Sequence, residues 1–442
     1  MQTGGEGRRR VTTAMIAIAL LALFAIMILG ASRFSDGQSS GDITEPWVQQ
    51  QLVAWQPPAF KSMSFGAMIV PASYDQIDSN YNTPQVLSGY LKLMEDTGAG
   101  YIRIDVGFDA WLNHNTGVQQ ELQSLVNQTE KDGKGFILAD ASAESYRGLG
   151  NGLPWSQFKA AWVQRVRTLA AFFHPEYYIV VKEPGWYAPM ISDIASNPQA
   201  QDPEQWLGLT QNLTDAVHSV SPNTKVGVAI AADSLNQNPT LYVNYLNGLS
   251  KIKGLSFMGF DIYTTTGFTA AQNYLSQHGS GGLSVWMAEC WSASSGSVVY
   301  NSARSTLDAD WIKAAYFFGQ DENVSMMVPF FTNAFASYSL TSTSPSESSQ
   351  ILNLLSQRTP VFDMYQNITA GLENTSGGTT TTTGGGSTSS TAHTGSHTTS
   401  RSSGTTSSSG PGSLSSVEVG AVVVIIVVAA VVVIVASSRK RG

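Results

Sequence analysis

Short apolar runs alternate with longer stretches of helical period along most of this chain. Phe65 to Val70 predicts a first strand and Thr83 to Thr97 a helix; Tyr101 to Val106 and Val118 to Lys131 form the second pair. Gly135 to Ala139 with Trp155 to Phe173 comes third, and Tyr177 to Val181 with Pro203 to Val220 fourth. Lys225 to Ile230 and Thr240 to Leu249 follow, then Leu255 to Ile262 and Thr269 to Gln277. Ser284 to Ala288 with Thr306 to Phe318 is the seventh unit, and Ser325 to Phe330 with Gln350 to Tyr365 the eighth. Eight strand-helix units in succession predict the α/β class and a closed parallel (β/α)₈ barrel, the TIM barrel, in preference to an open doubly wound sheet.

Outside these units the pattern changes. Val11 to Gly30 is apolar behind Arg8, Arg9 and Arg10, so residues 1-32 read as a signal peptide or an N-terminal membrane anchor. Residues 45-372 hold the barrel domain, and 373-416 are almost only Thr, Ser and Gly. Such a tract cannot bury enough surface to offset chain entropy and reads as a disordered stalk. Residues 417-437, rich in Val, Ile and Ala, predict a transmembrane helix, and the basic tail 438-442 marks the cytoplasmic side. Both basic flanks therefore put the large domain outside the cell, held at its surface.

Composition narrows the function classes. The chain has 442 residues and a net charge of -8, which argues against a nucleic-acid partner. Aromatic residues make up 10%, with 10 Trp and 16 Tyr, enough for both a core and a sugar-stacking surface. Cys290 is the sole cysteine, so no intramolecular disulfide can form. Asn-x-Ser/Thr sequons at Asn127, Asn212, Asn323, Asn367 and Asn374 fit an exported glycoprotein. His114, His174, His218 and His278 are scattered, the other two fall in the stalk, and no glycine-rich phosphate loop follows a strand. No metal, cofactor or obligate protein partner is expected on this basis.

A barrel of this kind carries its chemistry on the loops after its strands, so the polar residues that end each strand are the candidates. Glu183 follows the fourth run, Ile179-Val180-Val181-Lys182, and Glu289 closes the seventh, Val285-Trp286-Met287-Ala288. Each follows an apolar run directly, which puts a carboxylate at the rim; the two strands are expected to bring them together across the mouth. Cleaving a glycosidic bond needs an acid for the leaving oxygen and a second carboxylate on the other side of the sugar. Alternation puts Arg103 with Asp105, and Asp261 with Tyr263, on one face of their strands. Arg103 and Asp105 also admit a plainer reading as a buried ion pair that fills the barrel.

These positions resemble the clan of retaining glycoside hydrolases that includes the cellulases and β-mannanases, over roughly residues 64-368. The resemblance implies Glu183 as general acid/base, Glu289 as nucleophile, Arg103 as the second-strand arginine that orients the nucleophile, and Tyr263 as the sixth-strand tyrosine that hydrogen-bonds it. The chain departs from the clan at Lys182, where members carry an Asn that holds the sugar 2-hydroxyl. An ammonium there is expected to lower the pKa of Glu183 and to meet an acidic sugar or some other unusual substrate. The eighth strand lacks the clan's tryptophan and offers Phe330 or Phe331 instead.

Trp186 and Trp291, with Asp140, Asp261, Arg103, Lys182 and Tyr263, complete the expected substrate-binding set. Trp111, Trp155 and Tyr187 stand near strand ends as further sugar-stacking candidates, while Trp162 and Trp311 read as core. Cys290 adjoins Glu289, but no strand-end His accompanies it as a base. The expected partner is an oligo- or polysaccharide. The alternative is a surface glycan-binding or cell-wall protein on a barrel that has lost catalysis.

Overall fold

A computed structural model describes residues 43-69, 83-106, 116-140, 154-184, 199, 202-294, 297-298, 302-342 and 348-371. All of them fall in the first of two parts into which the chain divides, Met1–Gly377. The predicted N-terminal apolar segment, stalk, C-terminal span and basic tail lie outside the described residues. Among the described residues no helix is long and apolar enough to cross a membrane.

Eight strands form the barrel: β1 Ser64–Met68, β2 Tyr101–Val106, β3 Gly135–Asp140, β4 Tyr177–Lys182, β5 Lys225–Ala231, β6 Leu255–Ile262, β7 Ser284–Cys290 and β8 Val324–Pro329. Each pairs in parallel with the next, and β8 pairs with β1, for example Ser64 with Met326, so the sheet has no edge. The fold predicted from the strand-helix succession is the one observed. Inward and outward residues alternate as the pleat requires. The outward row, Ile102, Ile104, Phe136, Leu138, Val226, Val228 and Ile230 among others, packs under the helices in one large core.

The lumen has its own smaller core: Ile137, Ala139, Ile179, Ala229, Phe257, Trp286, Ala288, Met326 and Val328. At its base Phe257 and Trp286 stack with ring centroids 3.8 Å apart and planes 11° from parallel, and Tyr177 meets Trp286 edge-on at 4.8 Å. Aromatic rings fit inside so narrow a barrel only where a neighbour is small. Gly227 provides that space, since a Cβ on it would stand 2.3 Å from the Phe257 ring.

Helix starts follow from local chemistry. Thr83, Asp202 and Asn238 each precede a proline, and each side chain accepts a hydrogen bond from a backbone N–H of the first turn, Val86, Glu204 and Leu241 respectively. Two elements differ from expectation. The single helix predicted over Gln350 to Tyr365 is two helices, Ser348–Leu355 and Pro360–Thr369. Pro360 cannot donate to a preceding turn, and Thr359 is extended at φ -107°, so the helix restarts there. The helix Glu45–Ala54 before β1 was not foreseen; its apolar spacing is weak, and it is followed by Trp55, which seats its ring 5.1 Å from both Phe268 and Phe318. Tyr365 Oη donates to Gly66 O at 2.6 Å, tying the last helix to β1.

Asn127, Asn212, Asn323 and Asn367 are exposed, whereas Thr129 and Thr214 of the first two sequons are buried and bond back to Leu125 O and Thr210 O. Helix packing thus gives those threonines a role without any glycan.

Gly227→Ala is expected to destabilise the barrel by about 1–3 kcal/mol through overpacking against the Phe257–Trp286 stack. Urea unfolding should show a lower midpoint with an unchanged slope; an unchanged midpoint would mean the stack has slack.

Candidate active site

Regular alternation carries the groups of β2 and β6 into the mouth. Tyr101, Arg103 and Asp105 share the inner face of β2, as do Phe257, Asp261 and Tyr263 along β6 and its end. On β4 and β7 irregularities do the same job. β4 pairs Ile179 with Gly227 and then Val181 with Val228, so Val180 is an extra residue. Val180 and Val181 both face the outer core, and the phase inverts so that Lys182 turns inward. β7 shows the same device: Phe260 pairs with Met287 and Asp261 with Glu289, which leaves Ala288 extra. Ala288 lines the lumen, Glu289 follows it inward, and Cys290 goes to the outer core.

Glu183 ends β4 in a left-handed conformation, φ 45°, with its N–H donated to Ala229 O at 2.9 Å. A non-glycine residue rarely adopts this region, and the following Pro184 narrows its options further. Strain of this kind costs on the order of 1–3 kcal/mol and concentrates where side-chain direction matters.

The groups so delivered form one buried network. Arg103 donates from Nε to Asp105 Oδ1 at 2.6 Å and from Nη2 to Asp105 Oδ2 at 2.8 Å. The same Nη2 reaches Glu289 Oε1 at 2.6 Å, and Nη1 reaches Ala288 O at 2.6 Å. Lys182 Nζ lies 2.8 Å from Asp105 Oδ2 and 2.6 Å from Glu289 Oε1. Tyr263 Oη donates to Glu289 Oε2 at 2.5 Å. One oxygen each from Glu183, Asp261 and Glu289 lie within 4.8 Å of one another.

Burial works to raise the Asp105 carboxyl, but Arg103 and Lys182 outweigh it and hold the group below the usual carboxylate range. Asp261 goes the other way: burial first, then the charges of Glu289 and Glu183, push it well above that range. Desolvation, again joined by Glu289 and Glu183, raises the Tyr263 hydroxyl, which stays a donor. Burial and the adjacent carboxylates likewise keep the Cys290 thiol protonated, so it is no nucleophile here.

The structure brings Glu183, Glu289, Arg103, Lys182, Asp261 and Tyr263 together. Lys182, expected to meet an acidic sugar and to act on Glu183, is held on Asp105 and Glu289, with its ammonium 5.0 Å from the Phe330 ring centre. Trp291 is fully buried against Phe331 and Phe335, so it offers no face for sugar stacking. Half-buried Phe331, 6.1 Å from half-buried Tyr263, contributes aromatic surface to the described rim. Trp155 belongs to a helix start and packs on Phe158 and Trp206, not in a loop over the mouth. Trp162 and Trp311 are core, as expected. Asp140 ends β3, but its side chain, like Trp111, Trp186 and Tyr187, lies outside the described residues. The sequence reading missed Tyr242, on the helix Pro239–Leu249, whose hydroxyl burial raises, with Glu183 adding to the shift.

Glu183, Asp261 and Glu289 are the one group among the described residues whose geometry could hold a metal ion, and all three donors are oxygens. That set suits a hard cation or an ammonium, not the N/S ligation of zinc.

No protein-family model matches the sequence, and neither does any curated protein. Solved structures do match. An exo-β-1,4-mannosidase from Opitutaceae bacterium strain TAV5 aligns with a TM-score of 0.50 at 11% identity, over 70% of this chain and 59% of that one. A GH10 endoxylanase retrieved from a sugarcane soil metagenome aligns at 0.45 and 9% identity, over 73% and 99%. A family 1 β-glucosidase from Thermotoga maritima gives 0.46 and 11%, over 71% and 97%. Each is a glycoside hydrolase by name, and what this chain shares with the mannosidase at such identity is the fold alone.

Proposed function

We propose that this barrel is a retaining β-glycosidase acting on an oligo- or polysaccharide outside the cell. The observation that carries the reading is the approach of Glu183 and Glu289 from β4 and β7 to within 4.8 Å, oxygen to oxygen, in a buried mouth. Retaining enzymes hold their two carboxyls about 5–5.5 Å apart, and inverting ones leave roughly 6.5–9.5 Å for a water. The short separation supports retention.

In this mechanism Glu289 attacks the anomeric carbon while Glu183 protonates the departing glycosidic oxygen, forming a glycosyl-enzyme. Glu183 then takes a proton from water, and the hydroxide so generated displaces Glu289 from the sugar. Arg103 and Lys182 both bind Oε1 of Glu289, so they fix the carboxylate plane and leave Oε2 as the attacking atom. Tyr263 donates to that oxygen and must lengthen its bond as the carbon approaches.

The surface location rests on the sequence: a span at 417-437 with a basic tail, and a Thr/Ser/Gly stalk that lifts the barrel from the membrane. Recovery of the full chain in the membrane fraction, with its barrel open to protease from outside, tests it.

A second reading, a glycan-binding barrel without turnover, is favoured by Lys182. Two cations on one oxygen of Glu289 weaken a nucleophile, and the Asn expected at that place is missing.

Glu289→Gln is expected to abolish hydrolysis of aryl β-glycosides and of β-glucans or β-mannans. Glu183→Gln should lower kcat/KM by roughly 10²–10⁴ on natural linkages and less on substrates with good leaving groups. A fully active Glu289→Gln protein rejects the mechanism, and glycan binding by a wild type that turns over no substrate supports the second reading. Tyr263→Phe should cost roughly 10- to 100-fold in kcat with little change in KM, the loss of one charge-assisted bond to Glu289. Proton NMR of the first-formed product should show the β-anomer.

A further inference from the structure

Among the described residues, Asp261 is the acid of this mouth whose two carboxylate oxygens are both buried without a partner. It is 2% exposed, and neither carboxylate oxygen has a hydrogen-bond partner among the described residues. Its neighbours are committed elsewhere: Arg103 and Lys182 spend their donors on Asp105, Glu289 and Ala288 O, and Tyr263 spends its hydroxyl on Glu289. Buried carboxylates left bare are rare in folded proteins, and in a cleft they mark a place that a ligand completes.

The chemistry of the gap selects the ligand. Four carboxyls, Asp105, Glu183, Asp261 and Glu289, face two cations, Arg103 and Lys182, so the described mouth carries an excess of acid. Three of those carboxyls present oxygens within 4.8 Å of one another. An alkylammonium has three N–H donors and a positive charge, and so matches three acceptors; a hydroxyl has one donor and no charge. On a sugar whose anomeric carbon faces Glu289, the substituent of the adjacent carbon comes within reach of the same carboxylate.

We infer that the reacting sugar carries a free amine next to its anomeric carbon, a β-linked 2-amino-2-deoxy sugar, and that Asp261 beside Glu289 receives its ammonium. The inference rests on the sugar-site reading above, but not on turnover. Burial and the charges of Glu289 and Glu183 make a bare negative charge on Asp261 unfavourable, and an ammonium set among the three carboxyls would offset it. The assignment also accounts for Lys182: with its ammonium held on Asp105 and Glu289, the position that holds a sugar 2-hydroxyl in the clan this chain resembles is already filled.

Calorimetric titration of the full chain, in mildly acidic buffer where a sugar amine is charged, tests this with three trisaccharides: β-1,4-glucosamine, its fully N-acetylated form, and cellotriose. The wild type should bind the glucosamine trimer about tenfold or more tightly than either neutral one. Asp261→Asn, an isosteric change, should bring all three to within about twofold of one another. Equal affinities in the wild type, or a preference that persists in Asp261→Asn, overturn the inference while the sugar site stands. Binding of none of the three overturns both. The wild-type comparison of the free and acetylated amines needs no variant, so a misfolded Asp261→Asn would not blunt it.

Discussion

Everything at the mouth of this barrel hangs on one buried guanidinium. Arg103 leaves β2, clamps Asp105 on its own strand, and crosses to Glu289 and the Ala288 carbonyl of β7. A charge this far from water is tolerable only because it is fully matched, and removing one partner from such a network costs about 3–5 kcal/mol. Lys182 from β4 closes the same circuit through Asp105 and Glu289. The ion network therefore holds strands that are not adjacent in the sheet, and it fixes the plane of the Glu289 carboxylate. Structural and chemical roles cannot be separated here. The two sequence readings of Arg103, buried ion pair and orienting group, describe one side chain.

Register slips occur at both ends of the barrel, at Ser256 and Ser325 near its base as well as at its rim, and those at the rim serve that network. β4 and β7 each carry one extra residue near their ends, and Glu183 takes a left-handed backbone. A regular strand would have sent Lys182 and Glu289 outward, under the helices. The bulges turn both into the mouth, where burial strengthens every charge interaction. At the opposite end the lumen is apolar, with Phe257 stacked on Trp286 over Gly227. The rigid apolar base supports a strained polar rim.

Much of this was legible beforehand. The strand-helix succession predicted the closed parallel barrel, because a doubly covered parallel strand must be a continuous apolar run and each crossover needs a helix. Glu183 and Glu289 stood out because a carboxylate directly after such a run has only the rim to occupy. The pairs Arg103 with Asp105 and Asp261 with Tyr263 followed from period-two alternation. Where alternation fails, the meeting of charges is not legible: strict period two would turn Lys182 and Glu289 outward, and nothing local announces the extra residues at Val180 and Ala288. Trp291 and Trp155 were expected to stack on sugars, but burial depends on neighbours that come from remote parts of the chain, Phe335 in one case and Trp206 in the other.

By itself the sequence determined the fold class, the strand ends that carry the acids, and the order of N-terminal apolar stretch, barrel, Thr/Ser/Gly tract and C-terminal apolar stretch, since these depend on period and composition along a single stretch of chain. Tertiary structure alone decided which charges meet. Lys182 lies on Glu289 and Asp105, and Asp261 has no hydrogen-bond partner among the described residues, because those distances are set by closure of the sheet and by one-residue slips in register between strands far apart in sequence. Closing the barrel brings remote residues within hydrogen-bond reach, and at that range a shift of one residue turns a side chain from solvent or core into the site.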